Sequence, residues 1–338
     1  MKFEHMEKNS ARIEWMELAQ IISMLFIVFH HSLPNYTSVV PVAEAFANTV
    51  HIPALAVFFF FSGYWSISWK KKGYFGYITQ RAVRLLIPWI VLSVIMMIPK
   101  AALSNPESRE AMRSVQGVAM MLVDPHRHGV LPHLWFLPAL FIMTLFVYPW
   151  ERACTSRSLS AIGLFSAFLL TCLPYQWTTI LCINRIKNYL FWYLLGYYIH
   201  RNNKHINVSH KGLLGIMLIC NLITVAVILL METNTLSRIL VAVFGMPGIL
   251  SFSSYMETRM KWLTGVFRGK TFCIYLLSMC AQNFAEVFLS RMDINGNISM
   301  LIMFAVGLAV PMLVYWSVMK LEQLSNHRSV IVRTVLGI

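Results

Sequence analysis

Met16–His31 reads MELAQIISMLFIVFHH: an apolar run that carries Glu17, Gln20 and Ser23 and ends in two adjacent histidines, His30 and His31. Ionisable groups are costly inside a bilayer, so a helix with this many polar residues in so short a span is expected to face a wet or protein-lined interior rather than lipid. On a helix advancing about 100° per residue these side chains share one side. His31 falls almost directly above Gln20, three turns on, and His30 lies at the edge of the stripe beside Ser23. Two readings stand: a polar seam that bonds neighbouring helices, or a site in which one histidine acts as a general base. An imidazole with an ordinary pKa of about 6.5 suits proton removal from an alcohol at neutral pH.

The rest of the 338-residue chain sets this run in context. It is 57% hydrophobic and 12% charged, with a mean hydropathy of +0.61, whereas soluble domains carry roughly 25% charged residues. That deficit, repeated along the chain, reads as a polytopic, all-α integral membrane protein. The other structure able to span a bilayer, a closed barrel, would show short alternating strands. The net charge of +14 comes from basic clusters between apolar runs, a pattern of topology signals that argues against nucleic acid as a partner. The six cysteines have no paired spacing, so neither a disulfide framework nor a metal site is expected. The polar opening MKFEHMEKNSAR and the lack of a small-residue cleavage site lead us to expect that the first run persists as a signal-anchor helix.

About ten spans approach the ~20 residues a bilayer requires: Ile13–Ser32, Val50–Ile67, Ala82–Ala101, Leu134–Pro149, Leu159–Leu173, Asn188–Ile199, Leu213–Met231, Leu236–Tyr255, Phe272–Ser290 and Ile298–Met319. With both termini cytoplasmic, twenty Lys and Arg fall inside and eight outside, the asymmetry expected of an N-in/C-in bundle. Residues 1–338 read as a single domain. Residues 101–133 form its one sizeable outward-facing loop, which is expected to hold a short interfacial helix. The His126 and His128 pair in that loop has no Cys or Glu ligands near it and reads as solvated.

Further groups stand out by type and position. The second span ends in Phe58–Trp65 (FFFFSGYW), and Lys70, Lys71, Lys72, Arg81 and Arg84 follow around one short loop. Five cations there suit a phosphorylated cytosolic ligand; simple positive-inside anchoring is the plainer reading. His133–Pro138 (HLWFLP) opens the fourth span as an aromatic interfacial group. Glu286, inside the ninth span, needs a partner, of which Arg291 is the simplest.

In order along the chain, these pieces resemble the acyltransferase-3 family of bacterial inner-membrane O-acyltransferases. The first span resembles the family's opening helix. Phe59–Tyr64 matches its F-F-x-S-G-Y, and Arg81 with Arg84–Pro88 its R-x-x-R-L-x-x-P. Leu134–Leu137 matches its W-F-L, Leu195–Tyr198 its L-G-Y-x, and Thr271–Leu276 its S/T-F-x-I-Y-L. Two positions depart from the pattern. Where the family has an acid, two residues, a basic residue, ten residues and a histidine, this chain has Glu17, Gln20 and His31. Where a histidine often follows I-Y-L by two residues, it has Ser278.

The resemblance implies transfer of an acyl group, commonly acetyl, from cytosolic acyl-CoA to a hydroxyl of an extracytoplasmic glycan or lipid-linked saccharide, at the bacterial inner membrane and alongside polysaccharide-biosynthesis proteins. Acyl-CoA would be a co-substrate, with no bound cofactor. Carried over, His31 is the base, Arg81 and Arg84 draw the CoA phosphates, and Ser62, Gly63, Trp135 and Tyr275 line the path or support its walls. Beside these, Glu17, Gln20 and His30 are expected to line the site, and Glu286 either to line it or to serve the structure. The departure at Gln20 motivates an alternative, a non-catalytic transporter or glycan-export component on the same fold.

Overall fold

The computed structural model describes residues 14–103, 114–174, 176–202, 209–232, 234–292, 294–325 and 328–338. Among these residues the regular structure is entirely helical. The long helices are α1 (Glu14–His30), α2 (Pro41–Ser66), α4 (Tyr74–Leu103), α8 (Arg157–Cys172), α9 (Ile183–Arg201), α10 (His210–Leu230), α11 (Thr235–Met256), α13 (Thr271–Leu289) and α14 (Gly296–Ser325). Shorter ones are α3 (Trp69–Lys72), α5 (Val115–Val123), α6 (Phe136–Leu145), α7 (Val147–Ala153), α12 (Lys261–Phe267) and α15 (Val330–Leu336).

Each of the ten expected spans corresponds to a helix, the fourth to the broken pair α6 and α7. Among the described residues, seven segments are long and apolar enough to cross a membrane by themselves; those centred on α1, α8 and α9 are not among them. α1 and α8 are short, at 17 and 16 residues. α9 begins at Ile183 rather than Asn188: its polar first turns, with Asn184, Arg185 and Lys187, line a polar cavity, so apolar length alone does not include them. The chain is a polytopic helical membrane protein.

Local chemistry sets the helix ends. Glu14 and Glu17 occupy the first turn of α1, where carboxylates complement the positive end of the helix dipole. Asn234 and Ser237 form a reciprocal capping box at the start of α11, and Ser156 and Ser209 accept main-chain N–H groups at the starts of α8 and α10, satisfying donors that would otherwise lack partners.

α2 is the centre of the bundle, packing on α1, α9, α10, α11 and α6. Its contact with α9 depends on two glycines. A Cβ on Gly63 would lie 1.8 Å from the Tyr193 oxygen, and one on Gly196 would lie 2.0 Å from the Phe60 oxygen. Small residues let membrane helices approach backbone to backbone, and no other side chain fits at either position. α1 lies on the other flank of α2 and also packs on α11 and α13.

Ion pairs gather at one end of the bundle. Lys70 reaches Glu151 at 2.6 Å, Arg268 reaches Glu17 at 3.0 Å, and Arg333 reaches Glu322 at 2.7 Å. The two histidines that close the opening run lie at the opposite end, where α1 finishes.

Candidate active site

At the far end of α1 a cavity of about 200 Å³ gathers histidines from separate parts of the chain: His30 and His31, His51 of α2, His126, and His133 from the turn before α6. Arg185 of α9 and Tyr275 of α13 complete its polar wall. The His30 and His51 rings stack with centroids 3.9 Å apart, His31 lies 4.9 Å from His30, and His133 lies 6.2 Å from His31.

Hydrogen bonds distinguish these rings. His30 Nδ1–H donates to the main-chain oxygen of Ala47 at 3.0 Å. That bond commits one ring nitrogen and orients the imidazole. His133 Nε2–H donates to the Leu276 oxygen at 3.4 Å, and the Tyr275 hydroxyl donates to the His133 oxygen at 2.7 Å. His126 Nε2 accepts from Arg185, whose guanidinium lies 5.0 Å over the Trp135 ring. Among the described residues, no protein group bonds either ring nitrogen of His31, which lines the cavity. Burial, reinforced by Arg185 and Arg127 and opposed by Asp124, lowers the His126 pKa.

A second cavity, of about 250 Å³, lies toward the opposite end. Gln20, Ser62, Arg81 and Arg84 line it, with Phe58, Phe61 and Phe272 among its apolar walls. Arg81 Nε donates to the Tyr77 hydroxyl at 3.2 Å, and the Arg84 guanidinium lies 5.8 Å over the Phe272 ring. Four residues belong to both cavities: Ile27, Leu55, Phe136 and Tyr275. They form the neck where the two spaces adjoin. Along α1 and the residue that follows it, Gln20, Ile27 and His31 thus follow one stripe from the arginine cavity through the neck to the histidines.

The structure brings His30, His31, Trp135 and Tyr275 to the histidine cavity, and Gln20, Ser62, Arg81, Arg84 and again Tyr275 to the other. It does not bring Glu17, Gly63 or Glu286 to either. Glu17 accepts from Arg268 Nε at 3.0 Å, at the outer surface of the α1 start. Gly63 is occupied by the backbone of α9. Glu286 accepts from the main-chain and side-chain nitrogens of Asn35 at 2.6 and 3.0 Å, fastening the segment after α1 to α13; Asn35, rather than Arg291, is its partner. In the 101–133 loop, α5 is helical from Val115 to Val123, while 104–113 lie outside the described residues. His126 and His128 diverge there, one to Arg185 and the other 3.7 Å from Asp124.

Four contributors are not marked as such by the sequence. His126, expected to be solvated, lines the cavity instead because Arg185 holds its ring there. His51 is an ionisable residue among apolar neighbours near the start of α2, and that placement in a membrane span is itself a signal of function. His133 reads as an aromatic-belt neighbour until α13 is brought against it. Arg185 registers only as an outer-loop charge, because nothing local shows that its helix begins five residues early.

The family model described as an acyltransferase domain matches residues 13–316. No curated protein and no solved structure matches the chain.

Proposed function

The chain belongs to the acyltransferase-3 family, and from that premise we propose that this membrane acyltransferase moves an acyl group, commonly acetyl, from cytosolic acyl-CoA to a hydroxyl of an extracytoplasmic glycan or lipid-linked saccharide. The observation that carries this reading is the pair of adjoining cavities, arginines in one and an unbonded histidine in the other, meeting at Ile27, Leu55, Phe136 and Tyr275. A thioester donor needs such a layout: cations for its phosphates, an apolar passage for the pantetheine arm and a base where the acyl carbon arrives.

Arg81 and Arg84 hold the donor phosphates through charge-assisted hydrogen bonds. The acceptor hydroxyl donates to a ring nitrogen of His31. As its oxygen bonds to the thioester carbonyl carbon, the proton passes to the imidazole. The carbon–sulfur bond then breaks and the departing thiolate takes that proton, leaving an ester, free CoA and a neutral histidine. His133 and Tyr275, bonded to each other's segments, fix one wall of this space.

The departures from the family pattern are compatible with an enzyme. Glu17, which lacks a basic residue three positions on, is paired by Arg268 instead. Ser278 is buried, and His133 reaches the same helix one half-turn away through the Leu276 oxygen. The inner membrane is the setting that lets one protein meet both substrates, and polysaccharide-biosynthesis proteins are the natural suppliers of the acceptor. The test is incubation of membranes containing the chain with labelled acetyl-CoA and the host's extracted glycans. Alkali-labile label on glycan is the expected result. Unlabelled glycan together with blocked surface display of the glycan in a deletion strain would overturn it in favour of an export component.

A further inference from the structure

A third cavity, of about 390 Å³, adjoins the histidines on the side away from the neck and shares His126 and Arg185 with them. α8, α9, α11 and the segments joining them supply its walls. Among the described residues three cations line it: Arg185, Lys187 and Arg238. Among the described residues lining it there is no aspartate or glutamate, and neither arginine has a carboxylate partner. Lys187 is buried, with its ammonium donating to the Leu173 oxygen at 2.6 Å. Amide side chains, including Asn184 and Asn188, alternate with the cations, and Trp192 supplies an aromatic surface.

The approach to α9 is bent to achieve this. Leu181 and Cys182 adopt φ of 49° and 59°, a region that costs non-glycine residues energy. The turn sets Asn184 and Arg185 at the start of α9, on the cavity wall.

We infer that this cavity binds an acceptor saccharide through a negatively charged group, carboxylate or phosphate, carried on or beside the sugar that is acylated. The inference rests on the acyltransferase reading above and gives its acceptor a chemical class. Guanidinium groups without a carboxylate partner match planar or tetrahedral oxyanions, amides match hydroxyls, and an aromatic face packs against a sugar ring. Arg185 stands at the junction with the histidines, so an anion held there places a neighbouring hydroxyl toward His31.

The test measures binding, so it remains informative even if acyl transfer fails. Purified protein in nanodiscs is titrated with trigalacturonate, with glucose 1-phosphate and with the neutral sugars maltotriose and glucose, following intrinsic tryptophan fluorescence. At low salt each charged sugar is expected to bind at least about tenfold more tightly than its neutral counterpart, as one charge-assisted contact provides. Arg238→Gln, a change at an exposed residue, should reduce that preference severalfold while leaving CoA affinity unchanged. Preference for the phosphate or the carboxylate sugar identifies the group. Equal affinity for charged and neutral sugars, no binding of any of the four, or loss of CoA affinity in Arg238→Gln would each overturn the inference.

Discussion

His30 donates from Nδ1 to the main-chain oxygen of Ala47 at 3.0 Å, a bond that ties the last residue of α1 to the first turns of α2. The same ring stacks on His51. His31, one residue on, has no such tether among the described residues. Adjacent histidines of the same type therefore stand in different relations to the fold. His30→Ala is expected to cost the roughly 1 kcal/mol of stability typical of one hydrogen bond, seen as a lower thermal midpoint, and to reduce transfer only severalfold. Thermal unfolding in detergent beside a transfer assay checks this; an unchanged midpoint would show that the tether contributes nothing.

The α2–α9 contact makes a sharper prediction. Gly63→Ala and Gly196→Ala each push a methyl group into main-chain atoms of the facing helix. Overpacking costs typically about 1–3 kcal/mol, and rigid backbones cannot yield as side chains do, so both variants should give low yields of monodisperse protein. Gly76→Ala, where nothing lies within 4 Å of the added carbon, is the control and should behave as wild type. Size-exclusion profiles decide; normal profiles for all three would refute the close approach.

Gln20 tests how the donor cavity works. It lines the same space as Arg81 and Arg84, so Gln20→Arg adds a third cation at the site of the phosphates. The expected outcome is a severalfold lower KM for acetyl-CoA with kcat little changed. Inactivation would mean that the cavity has been rebuilt around a neutral residue.

His126 carries a pH dependence. Its Nε2 accepts a hydrogen bond from Arg185 and so is unprotonated there. Burial first, then Arg185 and Arg127, lower its pKa. A histidine with a folded-state pKa below its unfolded value of about 6.5 binds more protons when unfolded. Its contribution to stability is therefore intact above pH 6.5 and declines as the pH falls below that value. The drop in thermal midpoint between pH 7.5 and 5.5 should be smaller in His126→Asn than in wild type. Equal drops would show that His126 is not part of the response.

Much of the fold was legible because membrane helices advertise themselves by apolar length, as α10 and α14 do. α9 was harder. Its first turns carry Asn184, Arg185 and Lys187, which face a polar cavity rather than lipid, so a hydropathy criterion trims them away. The stripe from Gln20 on α1 to His31 just beyond its end is readable from helical phase alone, since the His31 main-chain N–H still bonds the Ile27 oxygen and so keeps the helical phase. The partners of that stripe are not. His51, His133 and Arg185 come from three other segments, and only the packing of α2, α9 and α13 brings them together. Glu17 and Glu286 were conspicuous as acids in apolar surroundings, yet each is satisfied by a fastening contact, with Arg268 and Asn35, away from the cavities.

Whether His31 accepts the acceptor's proton is read from the rate of labelled acetyl transfer by His31→Ala beside wild type and His30→Ala, at saturating acetyl-CoA and matched protein levels. General-base catalysis typically contributes about 10²–10⁴-fold, so His31→Ala should fall at least about a hundredfold while His30→Ala falls only severalfold. A His31→Ala rate within about twofold of wild type, or a collapse of activity confined to His30→Ala, would show that His31 is not the base.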